Sequence, residues 1–313
     1  MGLLKKFFPD RNDLFLLFFS IPLYICAIGK YGLKIILALL ICLVIGTGTE
    51  MTAFRMRKKE IGILGTYAWV LFPLVLPPVF PLWMIAISLF FGIIIGVAFF
   101  GGHGYALASP VALGWAFANL SFSFTFDFGW SLPFPGLFFG FRHYRAAVLT
   151  AEHPLLYIDT RIYRLAHPLR AVFMGNIPQT PGNAVPVVLI ACGLLLLLFR
   201  AIDFRMCLSF TGTLFLLALS CNYMFPHVSQ NILELCIGNG LIAAFFIIPD
   251  RRIAPRTKAG RWITGALTGL VAFLNRYFSS FPDGIFFAVL FGNVFSAIID
   301  EGVLKYTYRN IHQ

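Results

Sequence analysis

Charged side chains are scarce in this sequence: only 12% of its 313 residues are Asp, Glu, Lys or Arg, whereas 59% are hydrophobic. A soluble domain has about a quarter of its residues charged. A chain of this composition could not cover a water-facing surface with polar side chains. The composition therefore excludes an ordinary soluble globular protein and predicts an integral membrane protein.

Acidic residues are rarer than basic ones, because the sequence contains 13 Asp and Glu but 24 Lys and Arg. The few carboxylates near apolar runs lie at the ends of those runs, and they are Glu50, Glu234, Asp300 and Glu301. Ionisable groups inside a membrane span usually mark an ion or proton path. The sequence therefore argues against a proton pump with its own carboxylate relay. It leaves open a passive conduit lined by neutral dipoles, or a cofactor carrier.

Motifs for metal or phosphate binding are absent from the sequence. No two of the six cysteines are spaced as Cys-x-x-Cys, and all six lie in apolar runs, where cysteine usually behaves as a small hydrophobic residue. The six histidines include no His-x-x-x-His pair, and Gly-Gly-His-Gly at 101–104 lacks the length and the Lys-Ser/Thr of a phosphate-binding loop. We predict neither a metal site nor a self-contained catalytic group.

The net charge of +11 could indicate nucleic acid or acidic lipid as a partner. The basic residues instead concentrate in short loops between apolar runs, as the positive-inside rule expects for cytoplasmic loops. With the amino terminus inside, the strongly basic stretches at 55–59 and 251–261 both fall in the cytoplasm. We predict both termini in the cytoplasm, a surrounding lipid bilayer and no nucleic acid partner.

The apolar runs predict the fold. A helix needs about 20 mostly apolar residues to span a bilayer, and helices satisfy their own backbone there. Candidate spans are residues 14–29, 35–49, 61–80, 82–100, 111–126, 184–199, 206–225, 232–249, 262–274 and 284–299. We predict an all-α integral membrane protein of about ten transmembrane helices. They form two five-helix halves, residues 1–126 and 184–313, separated by a long extracytoplasmic loop at 127–183.

A break rich in glycine and proline follows the fourth run. Gly101, Gly102 and Gly104 precede Pro110, where the next run begins. Glycine permits a positive φ and a close approach of the backbone to a ligand. Irregular backbone at membrane depth must be covered by protein or line a cavity. The break predicts either a re-entrant turn against a cofactor or an ion path, or a plain turn between two helices.

Two stretches of the sequence look alike, AFFGGHGYALASPVALGW at 98–115 and AFFIIPDRRIAPRTKAGRW at 244–262. Many transporters consist of inverted repeats. An inverted repeat would place equivalent loops on opposite sides of the membrane, whereas both stretches are predicted in the cytoplasm. We therefore interpret the likeness as a coincidence.

Five stretches, taken in order, match the motifs of one membrane-protein family. GGHGYALASPVALG at 101–114 fits Gly-Gly-x-Gly-x-Asn-x-x-Asn-Pro-Ala-x-x-Gly, and GNIPQTPGN at 175–183 fits Gly-Asn-x-Pro-Gly-Ser-x-Gly-Glu. PDRRIAP at 249–255 fits Thr-Asp-Pro-x-Thr-Ser-Pro. Residues 200–218 fit the family's basic loop and the span that follows it, and residues 282–300 fit the family's final span. Together they resemble the D subunit of the Rnf electron-transport complex, which is similar to the B subunit of the sodium-translocating NADH:quinone reductase.

The resemblance implies a membrane subunit of a complex that passes electrons between ferredoxin and NAD and couples this transfer to ion movement. Such a subunit would be a scaffold and a possible flavin-bearing electron path, not an enzyme by itself. It would lie beside other membrane subunits in a bacterial cytoplasmic (inner) membrane. The resemblance places Gly101, Gly102, Gly104, Pro110, Asp250 and Pro255 in the cytoplasmic half of a cofactor site, and Thr150, His153, Gly175, Asn176 and Gly182 in its outer half.

The sequence departs from the family at the flavin attachment point. The family carries FMN covalently on the threonine of Ser-x-Ala-Thr-Pro-Leu, and His153 stands at that position here. A phosphoester needs a hydroxyl, which imidazole lacks, so we predict that any FMN is not covalently bound. Ala106 and Ser109 also replace the two asparagines of the glycine loop, and Asn183 replaces a glutamate.

These departures leave a second hypothesis open, a non-redox channel or transporter for a small neutral solute. The lack of charge within the spans and the lost attachment point both favour it. A yellow chromophore on the purified protein would favour the electron-transport subunit, and a colourless protein that makes liposomes leaky to small solutes would favour the channel.

Overall fold

The computed structural model describes residues 11–56, 68–99, 108–136, 138–144, 150–151, 168–224, 236–279 and 283–311, and these are mostly helical. The helices are α1 (Arg11–Tyr31), α2 (Lys34–Met56), α3 (Ala68–Val75), α4 (Leu82–Ile93), α5 (Pro110–Ser121), α6 (Ser123–Phe128), α7 (Pro168–Phe173), α8 (Pro186–Leu198), α9 (Phe204–Met224), α10 (Gly240–Ile242), α11 (Lys258–Phe278) and α12 (Ile285–Ile311). The π-helices Ile94–Ala98 and Ala243–Ile247 continue α4 and α10. The short strands β1 (Trp130–Ser131) and β2 (Thr150–Ala151) pair in antiparallel fashion.

Within the residues that the structure describes, four helices are long and apolar enough to cross a membrane. They are Asn12–Tyr31, Lys34–Ala53, Phe204–Cys221 and Ile285–Tyr308, and Leu82–Ala98 and Pro186–Leu198 are shorter apolar helices. The chain is therefore a multi-pass membrane protein with a predominantly helical fold. The number of ten spans and the boundaries of the two halves stay predictions.

Two of the predicted spans are helical over only part of their described residues. The predicted span at 61–80 contains α3, which ends just before Pro77 and Pro78, because proline cannot continue the helical hydrogen-bond pattern. The predicted span at 232–249 contains α10, which begins only after Gly238, a residue with a φ of +70°. The two helices meet, since Asn239 Nδ2 donates a hydrogen bond to the Val75 carbonyl oxygen at 3.3 Å.

The helices contact one another in a pattern that occurs twice. In the first part α2 packs against α4 and α4 against α5, and in the second α9 packs against α11 and α11 against α12. Between the two parts, α1 contacts α8 and α5 contacts α12. In this pattern α3 corresponds to α10, so the connection at 76–81 corresponds to that at 249–257. The two stretches that look alike in sequence, 98–115 and 244–262, follow α4 and α10, and these two helices do not correspond to each other in this pattern.

The core joins the two parts through aromatic side chains. Trp115 of α5 is fully buried, and its ring centroid lies 5.1 Å from that of Phe126 and 4.9 Å from that of Phe286. Aromatic pairs at such distances contribute about 0.5–1.5 kcal/mol beyond their buried area. This cluster fixes α5 against α12.

The described segments form two faces at opposite ends of α1. The loop face comprises 29–34, 129–144 and 175–183, where Phe134 N donates to Lys30 O at 2.9 Å and Lys34 N donates to Tyr144 O at 2.8 Å. The basic face comprises the start of α1 with 200–205 and 249–261, where Arg252 forms an ion pair with Asp13. At 1.5 Å per helical residue the two faces are about 25 Å apart.

Candidate functional site

The predicted site residues do not all come together. Gly101, Gly102, Gly104 and His153 lie outside the described residues. Thr150 lies in β2, where its backbone pairs with Ser131 of β1. The remaining residues separate into Asp250 and Pro255 on the basic face, Gly175, Asn176 and Gly182 on the loop face, and Pro110 at the start of α5.

On the basic face the predicted residues shape a turn. The Asp250 carboxylate accepts a hydrogen bond from Arg252 N at 3.0 Å, and the Pro255 carbonyl accepts one from Arg261 Nε at 2.9 Å. Pro110 is buried at the first position of α5, where its fixed φ suits a helix start. These contacts are made within the protein, and a role of the three residues toward a cofactor stays a prediction.

Asp300 of α12 holds the same turn in place. Its carboxylate accepts hydrogen bonds from Arg256 N at 2.7 Å and from Thr257 N at 2.9 Å. Thr257 is the N-cap of α11, and its hydroxyl oxygen accepts from Gly260 N at 3.1 Å. In the sequence Asp300 is only a carboxylate at the end of a span, and nothing there predicts this long-range cap.

On the loop face two predicted glycines are required by the packing of the chain itself. Gly175 has a φ of +64°, and a Cβ added there would lie 1.6 Å from the Ala184 carbonyl oxygen. A Cβ on Gly182 would lie 2.4 Å from Ile242 Cδ1 and 2.9 Å from the Leu74 carbonyl oxygen. Both glycines therefore allow close contact between protein segments, and their assignment to a cofactor stays a prediction.

Side chains at the Tyr31 end of α1 hold the segment 175–183. Lys30 Nζ donates a hydrogen bond to Asn176 Oδ1 at 2.9 Å, and the Tyr31 hydroxyl accepts one from Gln179 N at 2.9 Å. Lys30 and Tyr31 are buried, whereas Asn176 is exposed. Lys30 is thus covered by protein, and its ammonium group bonds to the side chain of an exposed residue.

Two buried amides join this segment to the turn before α10. Asn183 Nδ2 donates to Gln179 Oε1 at 2.8 Å and to Gly238 O at 3.0 Å, and Gly238 N donates to Gln179 Oε1 at 3.2 Å. Gln179 and Asn183 are completely buried. The segment 175–183 is therefore fixed on one side by α1 and on the other by the start of α10.

A buried ion pair lies beside this turn. Arg276 of α11 and Asp283, in the connection to α12, are each 2% exposed, with 3.7 Å between Arg276 Nη2 and Asp283 Oδ1. Asn239 Nδ2 donates to Asp283 Oδ2 at 2.6 Å, and Arg276 Nη2 donates to Ile237 O at 3.0 Å. Burial raises the pKa of the Asp283 carboxyl, whereas Arg276 and the two Asn239 donors act in the opposite direction.

Sequence reasoning missed the central members of this network. Gln179, Asn239, Arg276 and Asp283 come from three separate segments, and although Gln179 and Asp283 lie within stretches that resemble family motifs, no local pattern indicates that the four residues meet. The available indications were modest. Asn239 is a polar residue within an apolar run, and Asp283 lies between a proline and a glycine that predict a turn.

The described residues offer little for metal chemistry. Within the segments that the structure describes, no three His, Cys, Asp or Glu side chains come together in a way that could hold a metal ion. All six cysteines are free thiols, and four of them are buried. The chemistry of the loop face is that of buried amides, hydroxyls and the Lys30 ammonium group, with a paired arginine and aspartate beside it.

Comparison with known proteins gives a consistent result. The family described as NQR2, RnfD, RnfE matches residues 10–309. The D subunit of the ion-translocating oxidoreductase complex of Haemophilus influenzae (strain PittEE) is 28% identical over 93% of this chain and 91% of that protein, and that of Tolumonas auensis is 27% identical over 87% and 84%. The B subunit of the Na(+)-translocating NADH-quinone reductase of Ectopseudomonas mendocina is 28% identical over 84% of this chain but only 65% of that protein.

Proposed function

The chain belongs to the NQR2, RnfD, RnfE family, and from this premise we propose that it is a membrane subunit of an ion-translocating oxidoreductase complex. The observation that carries the proposal is the extent of the family match, which includes residues 10–309 of the 313. The D-subunit relatives are components of a complex by name, and the match extends over 84–91% of their length. Other membrane subunits of such a complex are therefore its partners.

The contacts of the described residues favour a scaffold that supports an electron path over an enzyme that acts alone. Three charge pairs that are buried or half-buried join described segments, Arg276 with Asp283, Arg252 with Asp13, and Arg261 with Asp203. Paired charges of this kind fix segments relative to one another and are not available for acid–base work. The chain would hold the electron-carrying groups between subunits in fixed positions and shield them from their surroundings.

The residues present do not fit covalently attached FMN. His153 offers no hydroxyl for a phosphoester, and Gly175 and Gly182 lie against protein atoms, so they form no cradle for a ligand. We propose that this subunit carries no covalent flavin. The exposed Arg142 and Arg170 of the loop side are charge-assisted donors that a phosphate of a non-covalently bound FMN could use.

The proposed topology has about ten spans with the basic face in the cytoplasm and the loop face outside. Arg200, Arg205, Arg251, Arg252 and Arg256 all lie on the basic face. By the positive-inside rule we propose that this face, and both termini, lie on the cytoplasmic side of a bacterial inner membrane. The glycines at 101–104 would belong to the cytoplasmic half of the site, and Thr150 and His153 to the outer half.

The test of the proposal is purification of the tagged chain from its native membranes in a mild detergent. Mass spectrometry should identify further membrane subunits in stoichiometric amounts, and deletion of the gene should abolish the NADH-linked electron transfer that the reintroduced gene restores. An unrelated multi-pass protein with the same tag is the matched control. Isolation of the chain alone, with electron transfer unchanged in the deletion strain, would refute the proposal.

The alternative of a non-redox channel for a small neutral solute is not favoured. The relatives described above carry the names of oxidoreductase subunits. Liposomes that contain the purified chain should accordingly show no more leakage of glycerol or urea than empty liposomes, as measured by light scattering.

A further inference from the structure

An apolar groove, which we call the α1 groove, follows α1. It has a volume of about 900 Å³, and side chains of α1, α2 and α3 line it. The α1 residues of the lining extend from Leu14 to Ile28, a length of about 21 Å at 1.5 Å per helical residue. The hydrocarbon layer of one leaflet is about 15 Å thick. The groove is therefore long enough to receive an extended hydrocarbon chain along the helix.

The α1 groove has a covered floor and an open rim. Tyr24 of α1 and Trp69 of α3 belong to the floor, and each is only 8% exposed. Phe18 and Ile21 belong to the rim and are 63% and 53% exposed. The groove is therefore accessible from the surface of α1, and a molecule inside it would contact the floor.

The floor is fixed by contacts between the three helices. The Tyr24 hydroxyl donates a hydrogen bond to the Val70 carbonyl oxygen at 2.6 Å, which joins α1 to α3. A Cβ added to Gly46 of α2 would lie 2.8 Å from Trp69 Cβ, so α2 and α3 are in close contact there. The groove is therefore built into the packing of these helices.

The lining selects hydrocarbon as the occupant. Its two hydroxyl groups both donate to backbone carbonyls, since Ser20 Oγ donates to Leu17 O at 2.7 Å and Tyr24 donates to Val70 O. The other ten lining residues are aliphatic or aromatic. A water molecule needs two to four polar partners, and apolar cavities stay dry. Because the chain crosses a membrane, hydrocarbon is also what surrounds the rim.

The same lining favours a lipid chain over a helix of another subunit. Membrane helices associate through small residues that let their backbones approach. This protein packs its own helices in that way, because a Cβ on Gly265 of α11 would lie 1.9 Å from Ser209 Oγ of α9, and one on Gly269 would lie 2.8 Å from Phe210 O. The lining of the groove contains no glycine or alanine, and its smallest residue, Ser20, is only 3% exposed.

We propose that an acyl chain of a membrane phospholipid occupies the α1 groove. A flexible chain can follow the irregular surface between large side chains such as Phe18 and Ile21, which a second helix could approach only at a distance. The lipid fills the space between α1 and the short helix α3. The proposal does not depend on the electron-transport role, since it concerns only the membrane-embedded surface of the folded chain.

Trp69 on the groove floor is a built-in probe for this lipid, because bromine atoms on acyl chains quench tryptophan fluorescence on contact. The full-length protein and its Trp69→Phe variant are reconstituted in phosphatidylcholine with and without brominated chains, and the difference between the two proteins gives the Trp69 signal. This signal should fall strongly in brominated lipid. The Trp115 signal, obtained in the same way with Trp115→Phe, is the matched control and should not fall, because Trp115 is fully buried. A Trp69 signal quenched no more than that of Trp115 would overturn the proposal.

A density map of the complex from native membranes tests the same groove without any substitution. We expect an unbranched tube of density along α1 between Leu14 and Ile28. Helical density from another subunit in the groove, or a groove without density, would overturn the proposal. The fluorescence test uses the chain alone, so its result is independent of whether the chain belongs to an electron-transport complex.

Discussion

Replacing Asp283 by asparagine removes one charge of an ion pair whose members are each only 2% exposed. Water cannot hydrate Arg276 in place of the lost carboxylate, because the guanidinium is enclosed by protein. Removal of one partner from a buried pair costs about 3–5 kcal/mol. Asparagine keeps the size of aspartate and one acceptor for Asn239, so the loss reflects the charge and not a cavity. We expect the melting temperature to fall by roughly 5–10 °C, at about 2 °C per kcal/mol for a large chain.

The assay measures the melting temperature of the detergent-purified protein. Samples are heated, and the protein that stays folded is quantified by size-exclusion chromatography with fluorescence detection. Glu301→Gln is the matched control, because it removes one carboxylate from the Glu301–Lys305 pair, whose side chains are 67% and 77% exposed. Surface pairs contribute little, so this variant should shift the melting temperature by no more than about 1 °C. The double variant Asp283→Asn with Arg276→Met should recover part of the loss. Equal and small shifts in Asp283→Asn and Glu301→Gln would refute the reasoning.

Three further predictions concern other parts of the molecule. Gly175→Ala should lower the yield of folded protein in chromatography more than any exposed glycine variant, because the added Cβ would lie 1.6 Å from the Ala184 carbonyl oxygen and the residue has a φ of +64°. The chain on a denaturing gel should show no flavin fluorescence under ultraviolet light, since His153 cannot form the phosphoester, and a fluorescent band would contradict this. Asp300→Ala should destabilise the start of α11 by about 1 kcal/mol and speed cleavage by trypsin between 251 and 261, because the carboxylate caps Arg256 N and Thr257 N. An unchanged cleavage rate would argue against that cap.

The membrane helices could be predicted from the sequence because a bilayer requires long apolar runs. The runs at 14–29, 35–49, 206–225 and 284–299 correspond to α1, α2, α9 and α12. Boundaries were less accurate. The predicted span at 262–274 is shorter than α11, which begins at Lys258 and ends at Phe278, because polar residues at helix ends do not register as apolar.

The ends of α3 and α10 were harder to predict, since hydrophobicity continues across the breaks. Pro77 and Pro78 indicated one of them, whereas the late start of α10 had only the glycines around Asn239 as a local sign. The loop-face network was out of reach for a different reason. Gln179, Asn239 and Arg276 are far apart in the chain, and a single sequence contains no information on which distant polar residues meet.

α1 is fastened at each end to a segment that follows the first five helices. Asp13 pairs with Arg252 on the basic face, and Lys30 bonds to Asn176 on the loop face. A rocking motion of α1 against the segments at 175–183 and 249–261 would have to break both attachments in every cycle. Movements coupled to electron transfer are thus expected to be local shifts of short connections, with the helical frame kept rigid while groups beside it change charge.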